Sequence, residues 1–549
     1  MDKRYIIAGL SLIVALSVPE MLSAQGKRAY RPKNVFYESK AQPAKERKQQ
    51  HLIDPTWKDR QDMESIWISN TDNAGGGIID APKRLSSAEF SYDLAKGDYK
   101  YAQIGDDNKN LNFYTQGGGI YKDLGGWYIW GEFKYTNENI SGARWNATLV
   151  DPLRDQPFFL ADSTYSKWKN QKYHLAFKAA APMLWNRVVL GLTGSYDVAV
   201  AAKQIDPRPY TRMSSLDLKP SVLVKLDRYN TVGANFHYAS YREDGTADVV
   251  NYLVNCDAWQ MVSPGFFNSG VISSFGGSIQ TLRNYNANTL GGGLQYSYIN
   301  GKGKFLLAAN YAYKVEDAKS SYSQPRMVGT VRDNRFDITA AGQYNLDRGI
   351  LFVNYRHAHK SYDGIEYFQT YDNTYEIQTW ITDAKFVRSN FKNTTDEFKV
   401  DYMVTSGPRS YKWKFGVSAK HEKDGFVYYV PRSTKDYSNT AFGAYATHNL
   451  RLGGSSLLAT LSLGRKFNDE RSLDYNGYKA DDICYKEFTL LDYEYVTVDC
   501  FNVGADVTWS FPLNRDYSMF VGGSYKYYNP DGDTFHNRRI ALVKVGISF

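Results

Sequence analysis

From about residue 88 to the C-terminus, apolar and polar positions alternate with a period of two. In the last segment Ala541, Val543, Val545, Ile547 and Phe549 form one face, and Lys544, Gly546 and Ser548 the other. The segment before it sets Tyr517, Met519, Val521, Tyr525 and Tyr527 against Ser518, Gly522, Ser524 and Lys526. Further back, Tyr411, Trp413, Phe415, Val417 and Ala419 oppose Lys412, Lys414, Gly416, Ser418 and Lys420. Phe398, Val400, Tyr402 and Val404 alternate with Glu397, Lys399 and Asp401, and Val232, Ala234, Phe236 and Tyr238 with Thr231, Gly233, Asn235 and His237. Successive side chains of a strand point to opposite faces, so each segment predicts an amphipathic β-strand.

Length decides what covers the apolar face. Strands of soluble proteins average about five or six residues. These segments run about 10–15, the reach a tilted strand needs to cross a bilayer. Aromatic residues crowd the segment ends, as in Trp127-Tyr128-Ile129-Trp130 and Tyr525-Lys526-Tyr527-Tyr528, as amphipathic rings do at a membrane surface. The pattern predicts an all-β transmembrane antiparallel barrel rather than a β-sandwich.

Turn chemistry gives the strand count. Eight short Gly-, Pro- and Asn/Asp-rich turns lie at 123–126, 182–187, 227–230, 300–303, 347–349, 406–409, 451–454 and 512–515. They join sixteen strands. A first strand near 88–98 and a last at 535–549 make about 18, and the boundaries accommodate 14–18. The long links then fall at 138–171, 243–288, 363–393 and 468–492, on the other end of the barrel.

Composition agrees. Tyr contributes 45 residues and Gly 44, aromatics make up 15%, and the mean hydropathy is −0.51. Such a chain lacks the apolar runs of about 20 residues that spanning helices require, and it is too aromatic for disorder. The N-terminus reads as a secretory signal: Lys3 and Arg4, an apolar stretch from Ile6 to Val18, and Leu22-Ser23-Ala24 before a cleavage placed after Ala24. Domains are therefore expected at 1–24 (signal peptide), 25–87 (basic arm and partial plug) and 88–549 (barrel). Residues 25–60 carry ten basic and four acidic residues, six of the chain's eight net positive charges. An exported arm without a nucleic-acid-binding motif gives no reason to expect nucleic acid as partner. Within 51–68, Trp57 and Trp67 stand among Leu52, Ile53, Met63, Ile66 and Ile68. This stretch is too apolar for a free tail and is expected to dock inside the barrel or against its periplasmic mouth as a short plug-like segment. Asn73 belongs to the same plug candidates.

Cys256 and Cys484, in predicted loops, and Cys500, in a predicted strand, make an odd count; a Cys256–Cys484 disulfide, if those loops meet, and three free thiols are both compatible with it.

The terminal Phe549 resembles the signal by which outer-membrane barrels are handed to their assembly machinery. Asn73-Ala74-Gly75, before strand one, partly matches the Asn-Pro-Ala-Gly element of long-chain fatty acid transporter barrels, without its Pro. A closer resemblance over roughly 70–549 is to a large uncharacterised Bacteroidota family of outer-membrane barrels, the DUF6850 type. It is carried by Asn73-Ala74-Gly75, Ala88-Glu89-Phe90-Ser91-Tyr92 and the stretch from Asp151-Pro152 to Phe158-Phe159-Leu160-Ala161-Asp162-Ser163. The resemblance implies outer-membrane lipid and lipopolysaccharide as surroundings and the barrel-assembly machinery as a transient partner. It implies no substrate.

No Walker element and no Gly-x-Ser-x-Gly elbow occurs. His357-x-His359 shares a strand face but lacks a carboxylate cluster. No catalytic residue, metal or cofactor is expected. Lys399, Lys412, Lys414, Lys420 and Arg356 are expected to line the pore. They form either a basic wall that attracts anions or a mixed lumen in which Glu397 and Asp401 pair with them. Tyr367, Phe368, Tyr371, Tyr375 and Trp380, in the expected outer loop 363–393, either stack on a sugar or amphipathic ligand, for which Tyr367, Phe368, Tyr371 and Trp380 are the candidates, or fold the loop onto its neighbours. The predicted function is a channel or transporter for a small or amphipathic solute, narrowed by its N-terminal segment. The alternative is a structural or accessory barrel that docks a secretion or uptake partner.

Overall fold

The computed structural model describes residue 53 and residues 55–80, 84–321, 324–374, 379–407, 409–514 and 516–549. The expected leader, its cleavage after Ala24 and the basic arm up to residue 52 lie outside the described residues, as does Tyr375.

Three short helices come first: α1 (Pro55–Glu64), α2 (Ile66–Asn70) and α3 (Gly76–Ile79). The wall begins with β1 (Leu85–Gly97), β2 (Asp107–Tyr121), β3 (Trp127–Ala143), β5 (Ser166–Ala180), β6 (Val188–Lys203), β7 (Arg208–Lys225) and β8 (Asn230–Asp248). It continues through β11 (Arg283–Ile299), β12 (Gly303–Lys319), β13 (Met327–Leu346), β14 (Gly349–Asp372), β15 (Thr379–Ser406) and β16 (Ser410–Tyr429). It ends with β17 (Arg432–Leu452), β18 (Ser455–Asp474), β19 (Cys500–Pro512), β20 (Ser518–Pro530) and β21 (Arg538–Ser548). These form one 18-stranded antiparallel sheet that closes where β1 pairs β21, from Ser87↔Ser548 to Gly97↔Arg538. Phe549 completes the seam, exchanging backbone hydrogen bonds with Ser86 at 2.8 and 2.9 Å. All eight predicted turns join neighbouring strands at one end.

Closure follows from the solvent. No water in a bilayer core satisfies backbone N–H and C=O groups, so a sheet there must have no edge. The outward positions are apolar and uncovered by protein: Leu294 is 70% exposed, Leu461 67% and Val543 63%. Rings bound this band at both ends. Toward the long links, Tyr311 and Tyr355 donate outward hydrogen bonds to Asn334 and Asp396 at 2.8 and 2.7 Å. Toward the short turns lie Trp127, the Trp413–His448 stack and Tyr517 against Phe549. Among the described residues no helix is long and apolar enough to cross a membrane; the strands cross it.

Three expectations need correction. The link expected at 363–393 is mostly wall: β14 and β15 stay paired up to Asp372↔Thr379. Above the membrane both faces of the hairpin meet water or protein, so the alternation fades although the pairing continues. Cys256 opens a strand rather than lying in a loop, and all three cysteines are free and buried. At Lys412 a bulge shifts the register, since Trp413 pairs Val404 while Tyr411 pairs Thr405. Tyr411 is thereby buried against the plug, and Lys412 is the exposed extra residue rather than part of the pore lining.

An outward arginine at Leu461 places a charge in hydrocarbon. Leu461→Arg is expected to lower the stability of the folded barrel by about 2–4 kcal/mol. Urea-dependent unfolding from lipid vesicles, followed by tryptophan fluorescence, measures it; an unchanged midpoint would contradict the lipid-facing assignment.

Candidate functional site

The inward faces are polar, and in the middle of the barrel Lys134, Arg356 and Lys399 remain exposed although they point inward. They bound a hydrated chamber with mixed charge. Lys399 pairs with Glu397 at 2.7 Å and Lys420 with Glu422 at 2.6 Å. Lys414 holds Asp59 of α1 at 2.7 Å, and Asp401 accepts a hydrogen bond from Tyr445. The candidate lysines thus belong to neutralised pairs, not to an unbroken basic wall.

The short-turn end is filled by α1–α3. Trp67 is fully buried, and its Nε1 donates to Ser297 Oγ at 2.9 Å. Asn73 does two things at once. Its Oδ1 accepts from the Gly75 N–H at 3.0 Å, fixing the local turn, while its Nδ2 donates to the Val222 carbonyl at 3.0 Å and to Gln295 Oε1 at 3.2 Å. Gly76 and Gly77 have no room for a side chain: a Cβ would lie 2.4 Å from Trp67 Cβ and 2.3 Å from the Tyr128 ring, respectively. Lysines of the wall grip the plug from several sides: Lys178 donates to the Ile68 carbonyl at 3.1 Å, Lys219 pairs Asp72 at 3.0 Å, and Lys304 pairs Asp80. Trp57 lies at the rim, its ring 4.6 Å from the Arg409 guanidinium carbon.

The long-link end is closed by chain folded into the barrel. The links after β3 and β8 supply β4 (Leu160–Asp162), β9 (Cys256–Ser263) and β10 (Phe266–Ile272), a separate three-stranded sheet. The link after β18 adds a π-helical turn (Tyr485–Leu490) and α4 (Leu491–Thr497). Trp145, Phe158, Trp259, Met261, Cys484 and Phe488 form the apolar centre of this cap. Cys484 Sγ meets Met261 Sδ at 3.9 Å, with no bond to Cys256.

Charged residues of the link after β3 fasten the cap to the wall. Arg154 pairs Glu243 of β8 at 2.7 Å and Glu316 of β12, and stacks between Tyr241 and Tyr285 at 4.9 and 4.7 Å. Asp155 pairs Lys360 at 2.7 Å and Arg335 at 3.2 Å, and Asp162 pairs Lys203 at 2.8 Å with both side chains buried. Sequence reading missed this latch, because its partners lie 89 and 162 positions downstream of Arg154.

The predicted ligand rings divide. Tyr367 OH lies 2.9 Å from Thr330 Oγ1. Tyr371 and Trp380 face one another at 5.1 Å, with Arg326 over Trp380 at 4.6 Å. Phe368 packs on Phe386 at 5.6 Å, with Arg388 against both rings. All stand on the tall β14–β15 hairpin above the cap. His357 and His359 face outward and bond to different partners, Asp396 and Thr394. Among the described residues no cluster suited to a metal ion occurs.

Asp492 on α4 accepts a hydrogen bond from the Ala102 N–H at 2.6 Å. Loss of hydration outweighs that bond and the Lys435 and Lys100 charges, and pushes its carboxyl up to about 7.

A family model described as "Family of unknown function (DUF6850)" matches residues 77–549. No curated protein matches the chain. Among solved structures, the ferric preacinetobactin receptor BauA of Acinetobacter baumannii is 8% identical, with 85% of this chain and 80% of that chain covered and a TM-score of 0.34. A Pseudomonas aeruginosa FadL homologue is 9% identical, over 87% and 92%, with a TM-score of 0.31. The FrpB iron transporter of Neisseria meningitidis is 9% identical, over 86% and 83%, with a TM-score of 0.39.

Two outcomes are expected here. Gly77→Val should displace the plug while sparing the barrel: hydrogen exchange at residues 66–79 rises, and heat-modifiable migration in detergent gels is retained. Second, released α4 returns Asp492 to a carboxyl value near about 4, so between about 4 and 7 the docked helix binds a proton that the released one lacks. Docking of α4 is therefore strongest below about pH 4 and weakens as the pH rises to 7. Hydrogen exchange at residues 491–497, corrected for its intrinsic pH dependence, should show this trend in wild type and lose it in Asp492→Asn.

Proposed function

We propose that the chain, which belongs to the DUF6850 family, is an outer-membrane channel of a Gram-negative envelope, closed at rest, that passes a small or amphipathic solute. It is exported by its N-terminal leader and inserted with its short turns toward the periplasm. The observation that carries this reading is the hydrated mid-barrel chamber held between two closures of different make: the hydrogen-bonded plug below and the latched cap above. A purely structural barrel has no need of exposed inward charges such as Arg356 and Lys134.

The solute class follows from the entry. Phe368 and Phe386, both half exposed, offer apolar faces beside the Arg388 cation on the β14–β15 hairpin. Arg356, and Lys399 and Lys420 with their partners Glu397 and Glu422, then offer a polar path. A solute with one apolar and one polar part matches this order.

Single-channel recording in planar bilayers tests the reading. The full chain is expected to show rare, small openings. Deletion of residues 55–80 should enlarge them, and adding Arg154→Met, which leaves buried Glu243 without a cation and Glu316 with Lys314 alone at a cost of about 3–5 kcal/mol, should enlarge them further. Absence of conductance in every form, with a protein co-purifying from membranes, would instead favour an accessory barrel.

A further inference from the structure

Outside the barrel, on β1, β2, β3, β5 and β21, the outward side chains change character in ordered rows. From the short-turn end upward, Gly117, Gly131 and Phe177 share a level, followed by Thr115, Phe133 and Leu175, then Phe113, Tyr135 and Tyr173. Next come Leu111, Asn137 and Gln171, and above them Lys109, Asn139 and Lys169. Tyr135 and Tyr173 are in ring contact at 5.0 Å. The sequence is hydrocarbon belt, aromatic row, amide row, cation row, each step about 6–7 Å along the strands.

The cation row continues sideways. Lys167 stands one step above Lys169, and Lys96 and Arg539 extend the row onto β1 and β21. All are exposed. The acid among them, Asp107, is shared by Lys96 at 3.7 Å and Lys109 at 3.6 Å. On the opposite half the outward residues just above Tyr355 are His357 with Asp396, and His421 with Asp469. Lys423 and Lys392 also face outward on that half, in the next two rows and with Asp436 nearby, so the first side is distinguished by the number of its clustered cations.

We propose that this face, centred on Lys109, Asn139, Lys167 and Lys169, is a docking site for the phosphate-bearing headgroup of an outer-leaflet glycolipid. Charge complementarity selects the phosphate, and the height selects the lipid. A group anchored by chains along Phe177 and Leu175 reaches the cations just beyond the Tyr135–Tyr173 pair, where headgroups lie. Asn139, whose backbone neighbours both Lys109 and Lys169, supplies an amide donor between two lysines whose backbones lie about 10 Å apart. This inference rests on the outer-membrane placement proposed above and is independent of conduction.

The test uses the full chain in detergent, titrated with bisphosphorylated lipid A and with the same lipid dephosphorylated. The wild type is expected to prefer the phosphorylated form, increasingly at low salt. Lys167→Gln with Lys169→Gln should weaken it roughly 30-fold, at about fivefold per cation, whereas Lys392→Gln with Lys423→Gln on the opposite wall should leave it unchanged. Equal affinity for both lipids, or a preference that survives in the first double variant, would overturn the docking site. Flotation of each variant with lipid vesicles reads membrane insertion separately, so failure of the placement is distinguishable from failure of the site.

Discussion

The molecule depends on one requirement: within hydrocarbon, each backbone N–H and C=O must be satisfied by the chain itself. Pairing of β1 with β21 meets it and makes the sheet a cylinder. Closure then separates two solvents. Outward positions meet lipid and become apolar, inward positions meet water and become polar, and the period-two alternation along every strand is the trace of that separation. Phe549 lies where the cylinder is sewn shut, its backbone on Ser86 and its ring near Tyr517.

A wide cylinder with a polar interior cannot be filled as a soluble core is filled. The plug shows how this chain solves the problem. Trp67 is inserted as a bulky apolar body, yet its N–H reaches Ser297. Asn73 spends both ends of its amide, one on its own turn and one on the wall. The glycines after it let the backbone lie against Tyr128. The cap takes the other route and builds its own apolar centre around Trp145, Phe158 and Phe488, touching the polar wall through ion pairs.

This division explains what was legible in the sequence. Strands in the bilayer were, because each carries one oily face; so were the turns, because tight reversal demands Gly, Pro and Asn. Where the hydrocarbon ends, the signal ends. Residues 363–372 and 379–393 continue as strands, but water and protein replace lipid outside, so the aromatic residues there looked like a loop. The strands β4, β9 and β10 are short and lie inside the barrel, so neither length nor alternation marks them. The bulge at Lys412 exchanged the roles of Tyr411 and Lys412, which no local pattern announces. Trp67 was legible as too apolar for a tail. The partners of Arg154 were not, since Glu243 and Glu316 stand on strands 89 and 162 positions downstream and meet it only through the sheet.

The two closures also differ in what holds them, and that difference sets an order. Two of the plug's ion pairs are partly hydrated: the Asp72 and Asp59 side chains that face Lys219 and Lys414 keep 47% and 33% of their exposure, against 9% for Asp80 beside Lys304. Such pairs are worth little individually and weaken with salt. The cap's pairs at Glu243, Glu316 and Asp162 are desolvated, and separating either partner strands a charge away from water. Local opening draws on the least costly contacts first. The plug pairs at Asp72 and Asp59 are therefore the ones that part at least cost, and the cap pairs at Glu243, Glu316 and Asp162 the ones that part last.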